Sequence, residues 1–170
     1  MVKLIIFDLD GVLVEAKNVH FDALNKALGK YAISWNEHLS TYDGLKTVQK
    51  LNMLTKKKGL PADDHQNIWE QKQKYTLEML SDLKPNNNLK RVMSKLVKDG
   101  YKITVASNSI RKTVLTVLSK LGIIEYVDLI VSNEDVINDM KLQEEWIEII
   151  KPKISMLKFR LPWSDYKTKD

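Results

Sequence analysis

The chain is predicted to be α/β: a parallel sheet with helices on both faces, interrupted by an all-helical insertion. Three observations predict it. The run Leu4-Ile5-Ile6-Phe7 is short, wholly apolar and partly β-branched, as expected of a strand buried on both faces. Residues 15–83 carry helical periodicity and no strand candidate. From Pro85 onward, helix-like and strand-like segments alternate, the order that a parallel sheet with covered faces requires.

The first strand runs into Asp8-Leu9-Asp10, with Gly11 directly behind. In the insertion, Phe21, Leu24 and Leu28 repeat at three and four residues, and Gly29 can end that helix. Ile68, Tyr75, Met79 and Leu83 are expected along one face of a longer helix. Asp43-Gly44 and Gly59-Leu60-Pro61 mark the turns between helices. Pro85-Asn86-Asn87-Asn88 is the next boundary. Leu89, Val92, Met93, Leu96 and Val97 then follow at amphipathic intervals, closed by Asp99-Gly100. A strand is expected over Tyr101–Ala106, ending in Ser107-Asn108-Ser109. A helix carrying Ile110, Val114, Leu118 and Leu121 stops at Gly122. A third strand from Tyr126 to Val131 ends in Ser132-Asn133-Glu134-Asp135. This is the grammar of a Rossmann-like sheet.

Composition narrows the chemistry. A length of 170 residues with 44% hydrophobic content fits one compact core with a small accessory lobe. The absence of cysteine excludes a disulfide framework, a thiolate metal site and a cysteine nucleophile. His20, His38 and His65 lack ligand spacing, so zinc is not expected. The net charge of +5 is concentrated in Lys56-Lys57-Lys58 and after Lys151. These clusters read as solvated faces rather than a nucleic-acid stripe, although a basic surface also attracts a phosphorylated small molecule. The amino-terminal apolar run is too short for a secretory signal or a membrane span. A cytoplasmic protein with no membrane partner is expected.

The residues able to carry chemistry sit at predicted strand ends, the edge where open α/β sheets bind ligands. Asp8 and Asp10 place two carboxylates there; a capped strand end with two solvated acids is the other reading of that spacing. Ser107 and Asn108 precede a helix, where free N–H groups and the helix dipole favour an anion. They would also serve as ordinary helix caps.

Taken together, Phe7-Asp8-Leu9-Asp10-Gly11-Val12, the helical insertion, Val105-Ala106-Ser107-Asn108-Ser109 and Val131-Ser132-Asn133-Glu134-Asp135-Val136 resemble the haloacid dehalogenase superfamily. The branch is the one with a helical cap after the first motif, similar to β-phosphoglucomutase and phosphoglycolate phosphatase; Val19-His20-Phe21 fits its first cap helix. The resemblance covers about residues 2 to 141. It implies an α/β core over 1–14 and 84–141, a cap over 15–83, and a divergent or partly disordered tail over 142–170.

The resemblance also implies roles. Asp8 would be the nucleophile that forms an aspartyl phosphate, and Asp10 the acid and base. Gly11 would let the chain turn beside the phosphate, which Ser107 and Asn108 would bind. Lys141 would neutralise charge on the phosphoryl group, as a surface lysine would not. Magnesium is the implied cofactor, on Asp8 and the backbone carbonyl of Asp10, with Glu134 or Asp135 standing in for an absent acid. His20 resembles a hinge-side cap residue, with a packed helix-start histidine as the other reading, and Lys46 is a candidate contact for a second anionic group or an ordinary exposed lysine. The implied activity is phosphatase action on a small phosphorylated metabolite, with phosphomutase action as a close variant.

Two departures bear on that activity. Leu142 follows Lys141 where the family has proline, and nothing after Lys141 reproduces the later strand that ends in acidic residues. The chain therefore reads as a core truncated or remodelled at its carboxyl end. An impaired relic, or a module that binds phosphate without turnover, is the alternative from a different class. A sheet short of strands would also leave an edge in need of a partner.

Overall fold

The computed structural model of the protein describes residues 3–135. Lys141 and the tail 142–170 lie outside the described residues. Those that are described fall into two compact units, the stretch up to Leu13 with that from Pro85, and Val14–Lys84.

The first unit is an α/β layer. Its sheet has the order β1 (Lys3–Asp8), β2 (Tyr101–Ala106), β3 (Leu129–Val131), all parallel. The chain reaches β2 through α5 (Asn87–Lys98) and leaves it through α6 (Arg111–Leu121). Asn86 caps α5, its side chain accepting from the N–H groups of Asn88 and Leu89 at 3.1 Å each. Gly122 ends α6 in the left-handed conformation at φ 71, which only glycine adopts cheaply. Ile103, Val105, Val114, Val117, Leu118 and Val131 are fully buried and form the core of this layer. No described helix is long and apolar enough to cross a membrane.

Three sequence expectations need correction here. β1 is not buried on both faces: Lys3, Ile6 and Asp8 are exposed and the rest are half-buried. Among the described residues β1 pairs with β2 alone and lies at the edge of their sheet. The third strand is shorter than Tyr126–Val131, because Ile124–Tyr126 form a 3₁₀ turn before it. On α5 the apolar face is buried only at Met93, while Val92 and Val97 stay exposed.

The second unit is all-helical: α1 (Lys17–Leu28), α2 (Trp35–Glu37) running into a π-helical turn over His38–Tyr42, α3 (Thr47–Lys58) and α4 (His65–Leu80). Its core gathers Leu24, Leu28, Tyr42, Leu51, Leu54 and Ile68. Asn25 closes the turn after α1 from both sides, donating to the carbonyl of Ile33 at 2.8 Å and accepting its N–H at 2.9 Å. The buried stripe of α4 is Ile68, Lys72, Thr76 and Leu80, not the expected Ile68, Tyr75, Met79 and Leu83. Tyr75 and Met79 lie one position off this four-residue repeat.

Leu118 makes no contact with solvent and lies on the buried face of α6. Leu118→Ala should destabilise the protein by about 2–5 kcal/mol, read as a lowered urea midpoint at unchanged slope.

Candidate active site

Parallel register decides what meets at the sheet's carboxyl edge. Asp8 pairs with Ala106, and Ala106 with Val131. Asp8 therefore ends its strand level with Ala106 and Val131, and Ser107 and Ser132 follow one residue later at the same carboxyl edge. Beyond Asp8 the chain turns back at once: the Leu13 N–H donates to the Leu9 carbonyl at 3.0 Å, with Gly11 at φ 80 inside the turn. A side chain at Gly11 would be strained by that backbone angle. Leu9 and Leu13 are buried, which anchors the turn and fixes Asp8 and Asp10 on either side of Leu9.

Asp8 is exposed and Asp10 half-buried, with one carboxylate oxygen of Asp10 inaccessible to solvent. The Leu9 N–H donates to Asp8 Oδ1 at 2.7 Å. Desolvation at the sheet edge pushes the Asp8 carboxyl above its ordinary value; the Leu9 bond pulls the other way, and the Asp10 charge adds to the rise. The surroundings therefore hold a carboxylate under electrostatic load where a cation or proton would relieve it.

Ser107 is fully buried at the end of β2 and its neighbour Asn108 is exposed. Neither caps α6, which starts at Arg111 behind Ile110 with no side-chain cap. Instead the Ser107 Oγ accepts the N–H of Ser109 at 3.0 Å, closing a tight hydroxyl turn. That bond occupies a lone pair and leaves the hydroxyl proton for another acceptor. The Ser107 N–H donates to Val131 O at 2.9 Å, and the Asn133 N–H to Ser109 O at 3.2 Å.

Of the two candidate supplementary acids, Glu134 is exposed in the 3₁₀ turn Asn133–Asp135. The Asp135 Oδ2 accepts from Arg111 Nη2 at 2.5 Å, Ser132 N at 2.8 Å and Ser132 Oγ at 2.9 Å. No group of three or more His, Cys, Asp or Glu side chains gathers among the described residues.

Within the helical unit, His20 lies on α1, and Lys46 directly precedes α3, its N–H donating to Gln49 Oε1 at 3.0 Å. The sequence reading missed Lys72. It is buried on α4 with its Nζ 3.3 Å from His20 Nδ1. Its position four residues after Ile68 and four before Thr76 was the available signal, since that spacing puts a lysine on the buried face. Asp43 receives Lys17 Nζ at 2.7 Å, a bond that holds its carboxyl below the ordinary value.

A family model for haloacid dehalogenase-like hydrolases matches residues 5–154. The fold is similar to that of a predicted phosphoglycolate phosphatase from Haemophilus somnus, at TM-score 0.72 and 23% identity, over 91% of this chain and 72% of that one. It is also similar to β-phosphoglucomutase from Clostridium difficile, at TM-score 0.67 and 22% identity, over 82% and 65% of the two chains. CbbY from Rhodobacter sphaeroides, solved with xylulose-(1,5)bisphosphate, matches at TM-score 0.67 and 19% identity, over 89% and 73%. At these identities the likeness establishes the fold.

Proposed function

The chain belongs to the haloacid dehalogenase-like hydrolase family, and from that premise we propose that it is a magnesium-dependent phosphatase acting on a small phosphorylated metabolite. The observation that carries this reading is the register that sets Asp8 beside Ala106, so that the loaded carboxylate and the Ser107 hydroxyl share one sheet edge. A phosphatase neighbour and a neighbour holding a sugar bisphosphate support the substrate class.

In this reading an Asp8 oxygen attacks phosphorus and the ester P–O bond breaks, with Asp10 giving its proton to the leaving oxygen. Asp10, now a carboxylate, takes a proton from the water that attacks the aspartyl phosphate. The Asp8–phosphorus bond breaks, and orthophosphate leaves. The Ser107 proton and the Asn108 amide hold phosphoryl oxygens, and Lys141 offsets their charge. A second hydroxyl in place of water would make the same residues a phosphomutase.

Asp8 and the Asp10 carbonyl fit magnesium in kind. They are hard oxygen donors, and crowding of Asp8 by the Asp10 charge is what a divalent cation relieves. Glu134 or Asp135 would supply the added acid, Asp135 through the carboxylate whose Oδ2 already accepts three donors. The bound ion would neutralise charge between the nucleophile and the phosphoryl group.

The absence of a three-acid cluster among the described residues favours the second reading, a phosphate-binding module. Incubation with magnesium and an aryl phosphate separates them. The phosphatase releases orthophosphate, and a chelator stops the release. A module binds orthophosphate and releases none from the ester.

The raised Asp8 carboxyl sets a pH dependence. Protonation removes the nucleophile, so kcat/KM should fall on acidification at a pH above the ordinary value of 3.8. Stability runs the other way. The folded chain holds this proton more tightly than the unfolded chain, so unfolding free energy drops as pH rises from 3.8 through the raised value. Asp8→Asn should therefore be at least as stable as the natural chain at pH 7, measured by urea unfolding.

A further inference from the structure

Resting on the phosphatase reading, we propose that Arg111 and Asp135 are positioning residues that set the Ser107–Ser109 loop for the phosphoryl group. The loop after β2 has no cap onto α6, since Ile110 offers no side-chain bond. The end of β3 and the segment after it do that work instead, at three points. The Val131 carbonyl takes the Ser107 N–H, and the Asn133 N–H reaches the Ser109 carbonyl. The third point is ionic: Arg111, the first residue of α6, donates to Asp135 Oδ2. The same oxygen accepts both the N–H and the hydroxyl of Ser132, so it ties the helix to the end of β3.

Ser109 connects this clamp to chemistry. Its N–H is the donor that fixes the Ser107 Oγ, and its carbonyl is held by Asn133. If the Arg111–Asp135 pair is lost, the ionic tie between the start of α6 and the segment over 132–135 goes with it. The Ser107 hydroxyl then loses its set direction. Misplacement of a binding group by about 1 Å costs on the order of 100-fold in rate. The pair itself contributes little to folding. With the Arg111 side chain 39% and the Asp135 side chain 19% exposed, solvent screens the pair and limits what it adds to folding. The stability of α6 comes from Val114, Val117 and Leu118, which are wholly buried. A structural ion pair and a positioning pair thus differ in what they change.

The test uses the full chain with Arg111→Ala, Asp135→Asn and the exchanged pair Arg111→Asp with Asp135→Arg. Urea unfolding, aryl phosphate kinetics and orthophosphate binding by calorimetry are measured on each. Single variants should weaken orthophosphate binding and raise KM by about 10- to 100-fold, with the urea midpoint nearly unchanged. The exchanged pair should recover part of that loss. Unchanged KM and phosphate affinity, or a loss that merely tracks the unfolded fraction, would overturn the proposal. So would a natural chain that binds no orthophosphate. If the natural chain binds orthophosphate without hydrolysis and the single variants weaken binding, the phosphatase reading fails and the positioning role stands.

Discussion

Asp8→Asn is expected to lower kcat/KM for a phosphate monoester by about 10⁴-fold or more, the scale on which removal of a nucleophile acts. The amide keeps the shape and still accepts the Leu9 N–H, so the turn through Gly11 should survive. What is lost is the negative oxygen that attacks phosphorus. The same substitution removes a carboxylate held above its ordinary value by partial desolvation and by the Asp10 charge. Activity and stability should therefore part company: turnover disappears while unfolding at neutral pH becomes no easier. A variant that lost both together would place Asp8 among the structural residues. Steady-state kinetics beside urea unfolding makes the comparison.

Asp10→Asn carries the second largest effect, about 10²–10⁴-fold, the range for a general acid and base. Its size should depend on the leaving group. An aryl oxide departs without a proton, so the first displacement proceeds and the second stalls. Stopped-flow should then show a burst of phenol equal to the enzyme present, followed by slow turnover. An alkyl phosphate needs the proton in the first step and should give no burst. Equal losses on both esters would remove Asp10 from proton transfer.

Much of the site was legible because its signals are local. Asp8, Asp10 and Gly11 are adjacent along the chain, and a strand followed by a positive-φ glycine needs no tertiary information. The helical unit was legible for the same reason. What failed depended on neighbours. Four apolar residues in β1 imply burial, yet with β2 as its one described partner Ile6 remains 36% exposed. On α4, apolar identity drew attention to Tyr75 and Met79, while the fold buries Lys72 and Thr76. The side chain of Lys72 has an apolar stem that can lie on a buried face. The Arg111–Asp135 bond spans 24 residues and a strand, so neither residue type nor spacing announces it. Ser107 lies at the strand end where the sequence puts it, and the alternative reading of it as a cap of α6 does not hold, since its Oγ accepts the Ser109 N–H.

The most direct measurement is mass spectrometry of Asp10→Asn quenched in acid during turnover of an aryl phosphate. The account predicts one phosphoryl group per chain, on the peptide that holds Asp8, and none in Asp8→Asn. A phosphoryl group on any other side chain, or sustained turnover with no phosphorylated protein in either variant, would contradict it.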